Sequence, residues 1–251
     1  VTREFTIATP EGLTSKVTRE RTAEMTDPND LFSVTKITDV VTINGNKYNS
    51  TYDIDRINQT ITLNTSTPEG RRTQTIFDRY GRTLEETADG LEPVNYRYDE
   101  KGHLTRVEQG DQSLTYTYDD MNRVTELKDA AGNEFHYTYN GADLLTGITM
   151  PGGQTYEFSY DANGNLTAIT MPEGATQGAT HQLGYTTVDL GESYTPPDNA
   201  SYQKSYDRDR AVTRLTLPGG RTVDYEYDDG GRVTGMAYDS VQSTFGYNDL
   251  T

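Results

Sequence analysis

The residues that come closest to an ion-binding site form one short loop, Asp161-Ala162-Asn163-Gly164-Asn165. Closely spaced aspartate and asparagine oxygens are the kind of ligand that calcium loops use. The same residues favour tight turns, because Asp bonds backbone N–H groups two residues on and Asn or Gly accepts left-handed angles. The equivalent loops, DEKGH, DDMNR, NGADL and DDGGR, keep no shared set of oxygen ligands. Because calcium needs about six to eight oxygens, we prefer the turn interpretation.

The other residues that could support catalysis are scattered along the chain. His103, His136 and His181 have no partner at a spacing typical of a metal site or a catalytic base. Adjacent acids such as Asp119-Asp120 would point to opposite faces of a strand, so they cannot flank one glycosidic bond. A glycosidase pair assembled from neighbouring hairpins stays open as an alternative. We predict that the protein is not an enzyme and has no catalytic residue, metal or cofactor.

The charge and residue composition of the chain argues against two classes of partner, nucleic acids and membranes. Lys and Arg number 22 against 39 Asp and Glu, which gives a net charge of −17. Nucleic acids and anionic membranes are bound through basic surfaces, so we predict neither nucleic-acid binding nor membrane insertion. The chain has no cysteine, and no apolar run approaches the roughly 18 residues that cross a bilayer. Only 32% of the residues are hydrophobic, but the 19 tyrosines can fill a thin core while their hydroxyl groups stay near water.

The elements that position these residues follow a repeat. An aromatic residue followed by Asp or Asn recurs from Phe77 at intervals of 20 or 21 residues, interrupted once between Tyr160 and Tyr206. Tyr185 lies 21 residues before Tyr206 and continues the series. So regular an interval indicates a repeat architecture. The predicted structural aromatics are Tyr98, Tyr118, Tyr139, Tyr160, Tyr206 and Tyr227, and the predicted turn residues are Asp99, Gly102, Asp119, Asp161, Gly164, Asp207, Asp228 and Gly231.

Each repeat has a second turn signal about halfway along, such as MPGGQT (150–155) or LPGGRT (217–222). Two turns per repeat leave stretches of about six to eight residues, an ordinary strand length. Within such a stretch, Phe135, Tyr137 and Tyr139 fall on one face, as in a half-buried strand. The sequence therefore predicts an all-β fold of tandem antiparallel β-hairpins.

Three arginines recur at the last position of the first turn, namely Arg82, Arg123 and Arg232. We expect them to pair with the turn aspartates of their own or adjacent repeats. Ion pairs at exposed positions contribute little stability each.

The regularity of the repeat defines the predicted domains. Residues 45–251 are expected to form the repeat sheet, with a longer excursion at 175–203 where the pattern is interrupted. Residues 1–44 fit the pattern poorly, but TPEGLTSK (9–16) and INGNK (43–47) predict degenerate hairpins there. We expect both ends of the sequence to be cuts from a longer polypeptide.

The string Y-D-x-x-G-R/N-L/V-T, followed by a P-x-G turn and a Y-x-Y-D strand, resembles the YD repeats of Rhs proteins. Similar repeats occur in the cocoon-forming components of Tc toxins, in bacterial wall-associated proteins and in animal teneurins. The resemblance implies a curved sheet that spirals into a hollow β-shell. In bacterial members, the shell surrounds a C-terminal toxic domain of a secreted or cell-surface protein. The family's self-cleaving aspartate motif is not visible here.

The resemblance leads to a functional hypothesis. We predict a non-catalytic structural segment of a YD-repeat shell that encapsulates a C-terminal toxin or effector domain. Its partners would be the remainder of the parent shell and the enclosed domain, and the parent would be secreted or displayed on a bacterial cell surface. The alternative is a carbohydrate-binding or cell-surface adhesion module, since tyrosine-rich sheets suit glycans. Self-association through unpaired sheet edges is a further prediction.

Overall fold

The computed structural model of the chain describes residues 2–172 and 179–247. These ranges contain 22 β-strands and one short 3-10 helix, Leu31–Ser33. The chain divides into two compact units, Val1–Asn133 and Glu134–Thr251. Within each unit, every strand pairs antiparallel with the next strand along the chain. The predicted all-β class and the tandem antiparallel hairpins are confirmed.

The first unit holds eleven strands and the second unit holds the other eleven. In the first unit they are β1 (Thr2–Ala8), β2 (Thr14–Met25), β3 (Val34–Ile43), β4 (Asn46–Asp55), β5 (Thr60–Ser66), β6 (Arg72–Asp78), β7 (Thr83–Ala88), β8 (Val94–Tyr98), β9 (Leu104–Gln109), β10 (Gln112–Tyr118) and β11 (Val124–Asp129). In the second unit they are β12 (Glu134–Tyr139), β13 (Leu145–Thr149), β14 (Thr155–Tyr160), β15 (Leu166–Thr170), β16 (Thr180–Tyr185), β17 (Gly191–Thr195), β18 (Tyr202–Tyr206), β19 (Val212–Thr216), β20 (Thr222–Tyr227), β21 (Val233–Tyr238) and β22 (Val241–Thr244). In the part of the chain that the structure describes, no helix is long and apolar enough to cross a membrane.

The two faces of the sheet in the second unit differ in chemistry. On one face, Tyr137 lies opposite Ile148, which in turn lies opposite Tyr156. The other face is polar, with Glu157 of β14 placed between Gly147 and Thr170. This alternation follows from the two-residue period of a strand. None of the apolar side chains in residues 2–172 and 179–247 is fully buried, so the aromatic face is only half covered.

Strands β2, β3 and β4 are longer than the other strands. β2 has 12 residues, and β3 and β4 have 10 each. In this stretch Asp39 of β3 is only 5% exposed, and its carboxylate accepts hydrogen bonds from Arg19 and Arg21 at 2.5–2.9 Å. Hydrogen bonds from Arg21 and then Arg19 hold the pKa of Asp39 well below its usual value. These charged hydrogen bonds thus hold β2 against β3, in strands that have no buried apolar side chain.

Two strands and the start of a third lie in the stretch 175–203 that the sequence marks as an excursion. The described residues there form β16, β17 and the start of β18, and β16 and β17 pair as a hairpin. Residues 175–178 lie outside the described residues. The domain limits drawn from the repeat pattern, 1–44 and 45–251, stay a prediction.

Candidate functional site in the joints between hairpins

The first turn of each repeat is built around its aspartate, and we name this five-residue segment the Asp turn. In the turn that joins β10 to β11, Asp119 Oδ1 accepts hydrogen bonds from the backbone N–H groups of Met121 and Arg123, at 2.9 and 3.0 Å. The N–H of Asp119 donates to the carbonyl of Arg123 at 2.9 Å, and that of Asn122 to the carbonyl of Asp119 at 3.0 Å. The carboxylate therefore accepts hydrogen bonds from two backbone N–H groups that lie in the turn and so have no partner strand.

The predicted turn residues all occupy this arrangement. The same pair of backbone bonds closes the turns that begin at Asp99, Asp161, Asp207 and Asp228. The fourth turn position has a left-handed backbone, with φ of +95° at Gly102, +88° at Gly164 and +75° at Gly231. Glycine suits this position because it has no Cβ to clash in the left-handed region.

The fifth turn position returns to the aspartate through its side chain. The Nε groups of Arg82, Arg123 and Arg232 donate to Oδ2 of the aspartate of their own turn at 2.7–2.8 Å. The pairing predicted for these arginines is therefore made within one turn. At Asp119 and Asp228, the backbone N–H and then the side chain of this arginine lower the pKa of the carboxyl group.

The fifth position also contacts the aromatic residue of the following repeat. The Arg82 guanidinium lies over the Tyr98 ring, 4.7 Å from its centroid, and His103 stacks on Tyr118 at 4.8 Å. Arg232 lies over Tyr247 at 4.7 Å. A guanidinium above a phenol ring gains cation–π attraction, which orients the ring.

The hydroxyl group of this aromatic residue then bonds to the backbone of the preceding hairpin. We name the set of contacts between two successive hairpins, made by the Asp turn and this tyrosine, the joint. Tyr118 OH donates to the carbonyl of Leu104 at 2.8 Å, and this residue opens the return strand of the preceding hairpin. Burial raises the pKa of Tyr98 and Tyr118, so both hydroxyls keep their proton. The donor and acceptor pairs, at 2.5–3.0 Å, are Tyr98 with Thr83, Tyr118 with Leu104, Tyr160 with Leu145, Tyr185 with Leu166, Tyr206 with Gly191, Tyr227 with Val212 and Tyr247 with Val233.

Each acceptor carbonyl lies next to an irregularity in the ladder. In the hairpin of β8 and β9 the register shifts between Arg97 and Tyr98, and Tyr98 lies opposite Leu104. Equivalent shifts precede Tyr118, Tyr139, Tyr160, Tyr206 and Tyr227. A β-bulge disrupts the ladder locally and leaves a backbone group without its usual partner. The tyrosine of the next hairpin supplies that partner.

The loop that resembles a calcium site uses its polar atoms within the protein. Asp161 Oδ1 accepts from the N–H groups of Asn163 and Asn165, and its Oδ2 accepts from the Asn165 side chain at 3.0 Å. Both asparagine side chains also donate to Asp189 Oδ1, at 2.8 and 2.7 Å. Across residues 2–172 and 179–247, no three His, Cys, Asp or Glu side chains are grouped so as to hold a metal ion.

The histidines occupy three separate environments. His103 is the fifth residue of an Asp turn, where its Nδ1 lies 2.9 Å from Asp99 Oδ2. His136 Nε2 lies 3.8 Å from a Glu134 oxygen on the same strand. His181 Nδ1 is 2.7 Å from Tyr194 OH, and their rings are stacked.

The sequence analysis singled out aspartates, glycines and tyrosines that lie in these joints, but not the acceptors. Thr83, Leu104 and Gly191 all accept through the backbone, so no shared side chain marks them. The one available signal was their fixed place, directly after the Asp turn.

Comparisons with known proteins agree with this repeat structure. The family model described as Teneurin YD-shell matches residues 3–251. A crystal structure of TcdB2-TccC3-TEV is 13% identical with a TM-score of 0.54, covering 91% of this chain and 15% of that one. This likeness shows a shared fold. A Photorhabdus luminescens Tc holotoxin pore is 13% identical with a TM-score of 0.41, covering 93% of this chain and 19% of that one. No curated protein matches the sequence.

Proposed function

This chain belongs to the Teneurin YD-shell family, and from that premise we propose that it is a non-catalytic wall segment of a shell enclosing a C-terminal toxin or effector domain. The chain spans about 15% of the length of the solved TcdB2-TccC3-TEV chain. The enclosed domain would therefore belong to a longer polypeptide. The resemblance of its repeats to those of Rhs proteins supports a parent that is secreted or displayed on a bacterial cell surface.

The observation that carries this proposal is the joint between hairpins. At Asp119, both carboxylate oxygens are engaged by the turn, and the paired Arg123 belongs to that same turn. At Tyr118 and Tyr160, the hydroxyl group is engaged by a backbone carbonyl of the preceding hairpin. The repeated polar groups thus bond successive hairpins to each other, which supports a structural role in a shell.

The backbone edges of the outer strands suggest where the wall continues. All seven residues of β1 are exposed, and three of the four residues of β22 are exposed. An exposed edge strand presents N–H and C=O groups on which another strand can pair. We propose that β1 and β22 pair with strands from the remainder of the shell.

Limited proteolysis of the full-length polypeptide that contains this chain tests the enclosure. The C-terminal domain is expected to resist protease within the intact protein and to be cut when expressed alone. A Tyr118→Phe/Tyr160→Phe variant, which removes two joint bonds, is expected to shorten the protection. Tyr48→Phe is the control, because the Tyr48 hydroxyl makes no hydrogen bond within the described ranges. Equal cleavage of the free and the linked C-terminal domain would contradict the proposal.

One observation favours carbohydrate binding as a second candidate. Tyr194 and Tyr202 are each 38% exposed, and their stacked rings form a row with His181 at centroid distances of 5.9 and 6.2 Å. Half-exposed ring faces of this kind can stack on sugars. A glycan array probed with the wild type, Tyr194→Ala and Tyr202→Ala tests it. Binding that survives both substitutions would remove this row from consideration.

A further inference from the structure

One Asp turn carries an asparagine in the aspartate position, and that asparagine is followed by glycine. In the turn between β12 and β13, Asn140 Oδ1 accepts from the N–H groups of Ala142 and Leu144, at 2.9 and 3.1 Å. Its own N–H donates to the Leu144 carbonyl at 2.9 Å. The side-chain carbonyl is therefore held by two backbone donors, as the carboxylate of Asp119 is in its turn.

The next residue supplies a nucleophile. The Gly141 N–H makes no hydrogen bond within the described ranges, and the residue is exposed. A Cβ built on Gly141 would meet no atom within 4 Å, and its φ is not left-handed. The Gly141 nitrogen is thus free of both hydrogen bonding and steric cover.

We propose that Asn140 is a self-modification site that converts to aspartate by deamidation. The Gly141 nitrogen gives its proton to a solvent base and bonds to Asn140 Cγ, and negative charge develops on Oδ1. The Ala142 and Leu144 N–H groups stabilise that charge as an oxyanion hole does. The Cγ–Nδ2 bond then breaks, Nδ2 takes a proton and leaves as ammonia, and a succinimide ring remains. Water that breaks the bond between the ring nitrogen and Cγ gives aspartate. Water that breaks the bond between the ring nitrogen and the main-chain carbonyl carbon gives isoaspartate.

Two other Asn-Gly pairs lack this combination of features and serve as internal controls. At Asn163, the following Gly164 N–H already donates to the Asp161 carbonyl. At Asn44, Oδ1 accepts a single bond at 2.8 Å, from the Lys16 N–H of another strand. Neither asparagine has its carbonyl held by two donors of its own turn.

The product would complete the repeat motif. An aspartate in this turn has the residue type found at Asp119, Asp161 and Asp228, and a carboxylate accepts hydrogen bonds more strongly than an amide. The change adds one negative charge to a chain whose formal net charge is −17. Ion exchange therefore separates the product from the starting protein.

Ageing of the intact 251-residue chain in warm, mildly alkaline buffer, followed by peptide mass mapping, tests the inference. We expect Asn140 to deamidate about tenfold faster than Asn163 or Asn44, as one effective hydrogen bond to the developing charge would provide. Gly141→Ala, which the turn accommodates, should slow the reaction at Asn140 and leave Asn163 unchanged. Asn140→Asp provides the chromatographic standard.

A denatured sample separates structure from sequence. In concentrated urea the three asparagines are expected to deamidate at similar rates, because each is followed by glycine. The proposal is overturned if Asn140 reacts no faster than Asn163 in the folded chain. It is also overturned if the advantage of Asn140 persists unchanged in urea.

Discussion

Removing a tyrosine hydroxyl from one joint should loosen two hairpins without disturbing either turn. Tyr160 OH donates to the Leu145 carbonyl and Tyr227 OH to the Val212 carbonyl, both at 2.8 Å. Phenylalanine keeps the ring and loses only this bond. A hydrogen bond contributes about 0.5–1.5 kcal/mol net, and an acceptor left without a partner costs more the deeper it is buried. Because all four residues are half-buried, we expect Tyr160→Phe and Tyr227→Phe each to cost about 1 kcal/mol.

The double variant sharpens this test. The two joints share no residue, so the costs should add to about 2 kcal/mol. Urea unfolding followed by far-UV circular dichroism measures the total, and amide hydrogen exchange locates the loosened strands. Tyr48→Phe is the matched control, with an expected cost near zero. A double variant within about 0.5 kcal/mol of wild type, or a control equally destabilised, would refute the reasoning that these hydroxyls join the hairpins.

Three further predictions concern the turns and the N-terminal ion pair. Asp119→Ala removes the carboxylate that accepts two backbone hydrogen bonds and pairs with Arg123, and it should lower the midpoint of urea unfolding, whereas the neighbouring Asp120→Ala should leave the midpoint unchanged. Gly231→Ala forces a side chain into φ +75° and should cost about 1–2 kcal/mol, against almost nothing for Gly141→Ala. Asp39 has a lowered folded pKa, so its stabilisation is present above the unfolded value of about 3.9 and is lost as pH falls through the folded pKa. Acid titration of unfolding should show a smaller loss of stability in Asp39→Asn than in wild type.

The sequence predicted those parts of the fold that depend on side-chain type. Turn chemistry favours Asp at the first position and Gly at the left-handed fourth position, so Asp161 and Gly164 could be proposed from the sequence. The acceptor of each tyrosine could not, because a backbone carbonyl leaves no trace in the side-chain pattern. Asp189, which accepts bonds from Asn163 and Asn165, was also invisible, since it lies more than 20 residues away in another turn.

The apparent break in the repeat after Tyr160 has a physical explanation. Tyr185 is followed by Thr186 instead of Asp, so the motif cannot be recognised there. Thr186 Oγ1 nevertheless accepts from the N–H groups of Val188 and Leu190, at 3.4 and 3.1 Å. A hydroxyl oxygen can replace a carboxylate in a turn, though more weakly. The same turn therefore forms from a residue that a motif search passes over.

The backbone acceptor has a consequence for how such proteins diversify. Thr83, Leu104, Gly191 and Val212 serve equally, since every amino acid carries a peptide oxygen. A hairpin bearing the tyrosine therefore needs no particular side chain at the acceptor position of its neighbour to make this hydrogen bond. Recombination in units of one repeat would keep this hydrogen bond at each new joint.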